Sequence, residues 1–398
     1  MSEGRGSVTI RPRRARPFFA RHPWVFVTSV ERVEGSPGPG DEVDVFSHER
    51  QFIGRGLYNP HSAIRVRLYR WDDGPLDEAF WGNLFQRALS LRRDVLRLGG
   101  PGTAYRVVSS EGDGISGLTV DRYDRWLVAQ FSSLALFEHR APLGRLLAEQ
   151  TGVEGILLRI DRSVAEAEGL RGAEDVLVGS APAEPVVIDE HGLTYQVDLR
   201  GGQKTGFYLD QRENRRASAR FCEGRRVLDL FCYNGGFALN ALRHGGATHV
   251  LGIDSSAPAI EAARRNAVQN QLAHARFEVA DVMPTLESLR ARGERFDVVF
   301  CDPPKFARHA RGLDDALKGY LRLNRAAVDV LAPNGLFVTC SCSGLIHRSL
   351  FADMIGQVAE LSGRPIQIVE QRGQAPDHPV SASCLETDYL KCFLCRVG

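Results

Sequence analysis

Hydrophobic and polar residues alternate over much of the first 70 positions, for example at 42–46 and 63–69. Such period-two runs predict short β-strands. Glycine and proline turns, as at 35–40, separate the runs, so we expect a small β-barrel. The spacing then changes to that of an amphipathic helix at 76–98, whose apolar positions are Leu84, Leu89, Leu91, Val95 and Leu98.

The middle of the chain mixes both patterns. Strands are predicted at 117–123, 126–131 and 155–160, with a helix at 136–151. Residues 180–185 combine two prolines with small residues and predict a linker. We therefore expect a first domain over 1–74 and a central α+β domain over 75–180.

From residue 186 onward, strand and helix patterns alternate. The predicted strands are 226–231, 249–253, 277–280, 296–300, 336–341 and 389–397, and the predicted helices are 237–244, 258–270 and 317–331. This alternation predicts a doubly wound, mostly parallel sheet with helices on its faces. The third domain, over 186–398, is thus expected to be a Rossmann-like α/β domain.

Charge and cysteine content narrow the class of protein. The chain of 398 residues has a net charge of only +1, and its eight cysteines all lie at or beyond Cys222. That distribution does not suggest a disulfide framework, so we expect reduced thiols and a cytoplasmic protein. No apolar run approaches the roughly 18 residues of a membrane span, and we expect neither a membrane partner nor a signal peptide.

Basic and aromatic residues are interleaved near the N-terminus. The basic members are Arg11, Arg13, Arg14, Arg16 and Arg21, and the aromatic members are Phe18, Phe19 and Trp24. This combination suits contact with phosphates and stacking on nucleic-acid bases. A solvated face of a small β-domain explains the pattern equally well, and both interpretations stay open here.

Lysine is scarce, with four lysines among 50 lysine and arginine residues: Lys204, Lys305, Lys318 and Lys391. Because arginine occupies nearly every other basic position, these four lysines are candidates for sites that need a compact ammonium group. Chance is the alternative explanation.

Carboxylates and glycines follow the predicted strands of the third domain. Residues 229–237 read Asp-Leu-Phe-Cys-Tyr-Asn-Gly-Gly-Phe, and the glycines let the backbone approach a ligand. The pattern is neither a P-loop nor Gly-x-Gly-x-x-Gly. Asp254 is suited to a ribose diol and Asp281 to an adenine amine, while helix capping explains each carboxylate equally well.

The last two βα units end in a stiff loop and a loop with a thiol. Residues 301–306 read Cys-Asp-Pro-Pro-Lys-Phe, and the two prolines fix Asp302 in a rigid, extended backbone. Residues 339–344 read Thr-Cys-Ser-Cys-Ser-Gly, which places Cys342 just beyond a strand, where a thiolate can act as a nucleophile. Cys340 falls within the strand, and packing is its expected role.

Together these segments resemble the S-adenosylmethionine-dependent class I methyltransferases. Within that class they are most similar to bacterial 23S ribosomal RNA cytosine-C5 methyltransferases with an N-terminal PUA domain. The supporting segments span nearly the whole chain: 21–26, 111–115, 204–212, 233–237, 302–306, 341–345 and 377–380.

The resemblance implies a PUA β-barrel, a central α+β domain and a catalytic domain with a mostly parallel seven-stranded sheet. It implies S-adenosylmethionine as cofactor and 23S ribosomal RNA as partner, with Cys342, Asp302 and Lys305 catalytic. The implied cofactor-binding residues are Lys204, Thr205, Gly206, Phe207, Tyr208, Asp210, Arg212, Asp229, Phe231, Tyr233, Gly235, Gly236, Phe237, Asp254, Ser255, Asp281, Val282, Asp302 and Pro303. The expected RNA-binding residues are Arg11, Arg13, Arg14, Arg21 and Trp24.

Other interpretations stay open on the sequence. The same scaffold supports methylation of a guanine or adenine nitrogen, although Lys305 stands where such enzymes usually have an aromatic residue. A ribosome-associated RNA-binding protein without catalysis is a third hypothesis. Cys392 and Cys395 are spaced like zinc ligands, but on a strand they point to opposite faces, so no metal is expected. A homodimer is one option for the oligomeric state.

Overall fold

The computed structural model describes residues 5–171, 175–200, 206–306 and 312–398. Lys204 and Thr205, two predicted cofactor ligands, lie outside these ranges. The chain divides into two compact units. Unit 1 comprises Met1–Ile188, Val197–Leu209 and Pro376–Thr387, and unit 2 comprises Asp189–Gln196, Asp210–Ala375 and Asp388–Gly398.

Unit 1 begins with a six-stranded sheet. Its elements are β1 (Gly6–Ile10), α1 (Arg16–Phe19), β2 (Trp24–Phe26), β3 (Val30–Glu34), β4 (Glu42–Phe46), β5 (Phe52–Tyr58) and β6 (Ile64–Arg70). The strands are ordered β2-β6-β5-β4-β1-β3, and only β1 and β4 pair in parallel. Alternate residues of β4 point inward, and its Val43 and Val45 share one core with Val8 and Val66.

A second, five-stranded sheet follows in unit 1, ordered β11-β10-β9-β8-β7. Its elements are α2 (Glu78–Ser90), β7 (Ala104–Ser109), β8 (Leu118–Tyr123), β9 (Trp126–Phe131), α3 (Leu134–Phe137), α4 (Arg140–Thr151), β10 (Gly155–Arg159), α5 (Arg162–Glu168) and β11 (Asp175–Gly179). The core beneath this sheet also takes in Leu57 and Tyr69 from β5 and β6. The first two predicted domains thus share apolar contacts within one compact unit, and the three-domain division stays a prediction.

The predicted helix at 76–98 is shorter and changes its geometry. After α2 the backbone forms a π-helical turn over Leu91–Val95. The turn coincides with Arg92, which is fully buried and donates two hydrogen bonds to Asp113. Val95, predicted on the apolar face, is 68% exposed because the wider turn shifts the register of that face.

The predicted helix at 136–151 is divided into α3 and α4. Pro142 lacks a backbone N–H, so it is accommodated in the first turn of a helix but not in its interior. The second helix accordingly begins at Arg140, two residues before the proline.

Unit 2 holds most of the remaining elements. After the hairpin of β12 (Val186–Glu190) and β13 (Leu193–Val197), in which the division between the units falls, the elements are α6 (Arg212–Ala219), β14 (Arg226–Leu230), α7 (Gly236–Arg243), β15 (His249–Asp254), α8 (Ala257–Gln269), β16 (Ala275–Val279), α9 (Val282–Ala291), β17 (Phe296–Cys301), α10 (Leu313–Asp329), β18 (Leu331–Ser341), α11 (Arg348–Ser362), β19 (Ile366–Arg372) and β20 (Lys391–Val397). Short 3-10 turns occur at Val27–Ser29, Ser110–Asp113, Leu209–Gln211 and Leu385–Thr387.

The mostly parallel seven-stranded sheet expected for the third domain is confirmed. Its order is β16-β15-β14-β17-β18-β20-β19. The first five strands in this order are parallel, while β20 runs antiparallel to β18 and β19 antiparallel to β20. Leu228, Val299, Phe337 and Phe393 are fully buried, as expected for a sheet covered on both faces. Among the described residues, no helix is both long enough and apolar enough to cross a bilayer.

Candidate active site

The carboxyl ends of β14, β15, β17 and β18 lie along one edge of the unit 2 sheet, because these strands are parallel. The direction of winding reverses between β14 and β17, and open α/β sheets bind ligands at such a switch point. The predicted cofactor residues of unit 2 that lie at or next to strand ends are Asp229, Phe231, Tyr233, Gly235, Gly236, Phe237, Asp254, Ser255, Asp281, Val282, Asp302 and Pro303.

The loop between β14 and α7 makes a tight turn. Phe231, Tyr233 and Gly235 have φ angles of 61°, 50° and 85°. A Cβ atom on Gly235 would lie 3.0 Å from Cζ of Phe277, so both the conformation and the available space require glycine. The turn brings the N-terminus of α7, the positive end of the helix dipole, to the ligand-binding edge.

Asp254 shapes this loop instead of capping a helix. One carboxylate oxygen accepts a hydrogen bond from the backbone N–H of Tyr233 at 2.9 Å, and the other accepts from Ser256 at 2.9 Å. Ser256 is the N-cap of α8, because its hydroxyl accepts from the N–H of Ala259. The side chain of Asp254 remains half-buried at the strand end, where a ribose diol can reach it.

Asp281 and Asp229 differ in exposure. Asp281 is exposed and precedes α9, yet its carboxylate makes no capping hydrogen bond. Asp229 is only 1% exposed and accepts from the N–H of Ala238 at 2.9 Å, so it anchors α7 to β14 from behind the loop. Burial raises its pKa well above the ordinary carboxyl value, with further contributions from Asp302 and Asp254. Direct contact of either carboxylate with a cofactor stays a prediction.

Asp302 is held by a residue that the sequence analysis did not single out. The amide Nε2 of Gln211 donates to Oδ2 of Asp302 at 3.0 Å. The amide oxygen of Gln211 in turn accepts from Asn214 at 2.7 Å, which fixes the orientation of the amide. Gln211 is buried, whereas Asp302 is half-buried with part of its surface facing solvent.

The segment 204–212 contributes differently along its length. Asp210 and Arg212 lie in unit 2, where Oδ2 of Asp210 accepts from the hydroxyl of Tyr389 at 2.9 Å, and Arg212 is 6% exposed. Gly206, Phe207 and Tyr208 lie in unit 1, where the N–H of Phe207 donates to the hydroxyl of Tyr123 at 3.0 Å.

Cys342 differs from the other seven cysteines, all eight of which are described. It is half-buried, whereas the others are buried. Burial raises the pKa of the Cys301 and Cys340 thiols, which keeps them protonated and unreactive. Cys392, one of the two residues considered for zinc, lies opposite Cys340 across β18 and β20. Cys342 is thus the least buried of the eight thiols, and its catalytic role stays a prediction.

Tyr320 of α10 lies behind this thiol. Its hydroxyl accepts a hydrogen bond from the Ser341 hydroxyl at 3.2 Å. Burial raises the pKa of Tyr320, and Cys342 and Asp302 raise it further, so the phenol stays neutral. Asp302 and Cys342 share this end of the sheet, because they directly follow the adjacent parallel strands β17 and β18. Phe306 packs against Tyr320, with ring centroids 4.7 Å apart and ring planes tilted by 50°.

Lys391 is a second residue missed in the sequence analysis. Its Nζ donates to the backbone carbonyls of Ser343 at 2.5 Å and Tyr389 at 2.7 Å. The scarcity of lysine is a signal shared by all four lysines, but Lys391, unlike Lys204 and Lys305, lies outside the sequence motifs. Lys305 is exposed at the end of the Asp-Pro-Pro loop, and its catalytic role stays a prediction.

The basic face of unit 1 has the predicted arginines on its surface. Arg11, Arg13, Arg14 and Arg21 are exposed. Trp24 is different: its indole N–H donates to Glu111 at 2.9 Å, so its ring is partly committed to the fold. The more exposed rings nearby are Phe19 and Phe26, at 41% and 40%.

Within the described ranges, one group of three potential metal ligands occurs, His22, Cys384 and Glu386 in unit 1. These side chains already contact one another. The thiol of Cys384 donates to Oε2 of Glu386 at 3.5 Å, and Nε2 of His22 lies 3.4 Å from Oε1 of Glu386. Hydrogen bonding within the group accounts for the arrangement.

Comparison with known proteins identifies the family. One family, described as a PUA-like domain, matches residues 8–71, and another, described as S-adenosylmethionine-dependent methyltransferase, matches residues 170–387. The chain belongs to this methyltransferase family. A protein of Photobacterium profundum named Ribosomal RNA large subunit methyltransferase I is 40% identical over 380 residues, which cover 95% of this chain and 96% of that protein. The protein of the same name from Shewanella denitrificans is 40% identical over 394 residues, covering 98% and 99%.

Solved structures agree on the fold of the methyltransferase. A SAM-dependent methyltransferase from Streptococcus mutans is 20% identical with a TM-score of 0.85, covering 98% of this chain and 99% of that one. A second methyltransferase structure, in complex with S-adenosylhomocysteine (SAH), is 21% identical with the same TM-score and coverage.

S-adenosylmethionine is the cofactor of the methyltransferase, and the sheet edge fits it chemically. The cofactor carries a sulfonium, an ammonium, a carboxylate and a ribose diol. Asp254 and Asp302, which lie half-buried at the ends of β15 and β17, make the edge negative, which favours the two cations. The N-terminus of α7 suits the carboxylate, and Asp254 suits the diol.

Proposed function

We propose that this methyltransferase forms 5-methylcytosine in 23S ribosomal RNA through a covalent bond between Cys342 and carbon 6 of the base. The observation that carries the proposal is the position of Cys342, the one half-buried thiol: it directly follows β18, and Asp302 directly follows the adjacent strand β17. The names of the curated relatives support large-subunit ribosomal RNA as substrate.

The chemistry explains why a thiol is needed. Carbon 5 of cytosine is a weak nucleophile. When the thiolate adds to carbon 6, the S–C6 bond forms and the ring electrons move toward carbon 5 as an enamine. S-adenosylmethionine supplies the methyl group that carbon 5 takes up. Loss of the C5 proton to a base then restores the double bond, and the S–C6 bond breaks to release Cys342 as a thiolate.

Asp302 and Lys305 have complementary roles in this proposal. The exocyclic amine of cytosine is a hydrogen-bond donor, and Asp302, oriented by Gln211, can accept from it during the addition. Lys305 stands three residues later, exposed on the same loop, where its ammonium can balance developing negative charge. The two prolines between them hold this spacing.

The basic face of unit 1 is proposed to bind the RNA. Exposed Arg11, Arg13 and Arg14 can contact phosphates, and exposed Phe19 and Phe26 can stack on unpaired bases. The cytosine must leave its stack to reach a thiol at a sheet edge, which favours single-stranded or loop RNA. A cytoplasmic location and a homodimer stay predictions.

Methylation of a base nitrogen is the alternative on this scaffold. Such enzymes need an aromatic ring free to stack on the base. Phe306 is 38% exposed but packs against the ring of Tyr320, and Lys305 occupies the position directly after the prolines. A nitrogen acceptor also has no use for Cys342, so the geometry favours carbon 5.

The test is methylation of undermodified large-subunit ribosomal RNA, followed by mass spectrometry of the nucleosides. Wild-type protein is expected to yield 5-methylcytosine. Cys342→Ala should lose methyl transfer by at least about 1,000-fold, since its nucleophile is gone, and still bind SAH. Cys340→Ala removes a buried thiol two residues away in sequence and is the matched control that should stay active.

Two results would contradict the proposal. Turnover by the Cys342→Ala variant would exclude the covalent mechanism. A methylguanine or methyladenine product would exclude carbon 5 of cytosine and leave the fold and cofactor assignments intact.

A further inference from the structure

Lys391 is a buried lysine next to the proposed nucleophile. It is the first residue of β20, and the antiparallel register places it opposite Ser341, the residue that precedes Cys342. Its side chain is almost completely enclosed, with the residue only 1% exposed. A buried ammonium is costly unless hydrogen bonds and a counter-charge compensate it.

The hydrogen bonds of Lys391 fix the ammonium beside the thiol loop. An ammonium has three N–H donors, and here one donates to the carbonyl of Ser343 and another to that of Tyr389. Ser343 directly follows Cys342. Strand pairing at Ser341 and a hydrogen bond at Ser343 therefore hold the backbone on both sides of Cys342 against this one lysine.

Four charged or titratable groups act on Lys391 from the surrounding elements. Burial lowers its pKa to about 8; Asp388 and Cys342 oppose this change, whereas Arg348 and Lys305 add to it. The carboxylate of Asp388 lies 3.4 Å from Arg348 and is shared with that cation. Of these four groups, Cys342 is the other one that can carry a negative charge and so stabilise the ammonium.

We propose that Lys391 is a positioning residue whose ammonium is the counter-ion of the Cys342 thiolate. The inference rests on the proposed function, since it assigns the group that prepares the nucleophile of that reaction. The ion pair is the resting state. Attack on carbon 6 uses the thiolate electron pair, elimination returns it, and Lys391 keeps its proton throughout.

The experiment measures how fast Cys342 reacts with iodoacetamide as a function of pH, in the full-length protein with SAH and without RNA. Mass spectrometry of the peptide carrying Cys342 gives the rate and thus the thiol pKa. In the wild type, this pKa is expected to lie below the ordinary value of about 8.5. In Lys391→Gln, alkylation at pH 7 should be about tenfold slower, because less thiolate is present.

The choice of variants separates charge from structure. Glutamine removes the charge and offers an N–H donor on a side chain one methylene shorter, whereas Lys391→Arg keeps the charge and should keep a low thiol pKa. Lys318, 77% exposed and paired with Asp315, gives the matched control Lys318→Gln, with no expected change. SAH binding reports whether each variant is folded.

The outcomes distinguish this inference from the proposed function. An ordinary or raised thiol pKa in the wild type overturns the inference, even if every variant fails to fold. An unchanged pKa in folded Lys391→Gln also overturns it, while 5-methylcytosine formation by the wild type would leave the proposed function standing. A low pKa that depends on Lys391, together with a different methylated nucleoside, would support the ion pair and refute the proposed function.

Discussion

The buried ion pair between Glu190 and Arg215 supports the cofactor loop, and its removal gives a quantitative test. Nε of Arg215 donates to one oxygen of Glu190 at 2.8 Å and a terminal nitrogen donates to the other at 2.5 Å, with side chains only 4% and 3% exposed. Arg215 also packs beneath α7, since a Cβ on Gly236 would lie 2.8 Å from its Cδ.

Glu190→Gln leaves the guanidinium buried without its counter-charge and turns an amide N–H₂ toward it. Two charge-assisted hydrogen bonds contribute about 1.5–3 kcal/mol each, and breaking a buried pair costs about 3–5 kcal/mol. We therefore expect unit 2 to lose about 3 kcal/mol of stability. Since 1.4 kcal/mol is a factor of ten, the N–H groups of α7 should exchange about 100-fold faster.

Hydrogen exchange with mass spectrometry on peptides from α7 is the appropriate assay. The four tryptophans, at 24, 71, 81 and 126, all lie in unit 1, so their fluorescence does not report on unit 2. Glu261→Gln is the matched control, because Glu261 pairs with Arg264 at 2.5 Å with side chains 55% and 49% exposed. Surface pairs contribute about 0–1 kcal/mol. Equal effects of the two variants would refute the reasoning.

Two further predictions concern pH and RNA. Burial raises the pKa of Asp229 in the folded state, so the folded protein binds the extra proton and stability is lost as pH rises from about 4 through the raised value. The assay is urea unfolding of unit 2 followed by hydrogen exchange at several pH values. Asp229→Asn should remove this part of the pH dependence of the unfolding free energy. An unchanged slope of that free energy against pH would contradict a raised pKa for Asp229. Replacing exposed Arg13 and Arg14 by Gln should lower RNA affinity. The slope of log affinity against log salt concentration should become less steep by about one for each phosphate that is no longer neutralised. Arg276→Gln, in unit 2 with a side chain 79% exposed, is the control and should leave affinity and slope unchanged.

Local sequence signals predicted the elements well where the pattern was strong. The strands at 42–46 and 126–131 have the predicted limits, and the helix predicted at 258–270 forms as α8, Ala257–Gln269. Predictions differed where tertiary contacts override local preference. The π-turn coincides with Arg92, which bonds to Asp113 twenty-one residues away, and no local pattern encodes that partner.

The candidate site shows the same division. Residue type and strand-end position marked Asp254, Asp302 and Cys342, because a parallel sheet brings such positions to one edge. Residue type and position could not show whether Asp254 caps a helix. The structure excludes that role, because Ser256 is the N-cap of α8. Residue type and position also did not indicate Gln211, whose role depends on an amide meeting Asp302 across 91 positions of sequence.

By itself, the sequence determined the class of fold, the order of its elements and the short list of reactive groups, since periodicity and motif order are local properties of the chain. Tertiary structure decided which of these groups are accessible. Packing buries the competing thiols of Cys301 and Cys340, which raises their pKa, and leaves Cys342 half-buried. It also places Lys391, a distant residue in sequence, against the loop of Cys342. Desolvation and charge proximity depend on packing between distant segments, so only the folded chain specifies them.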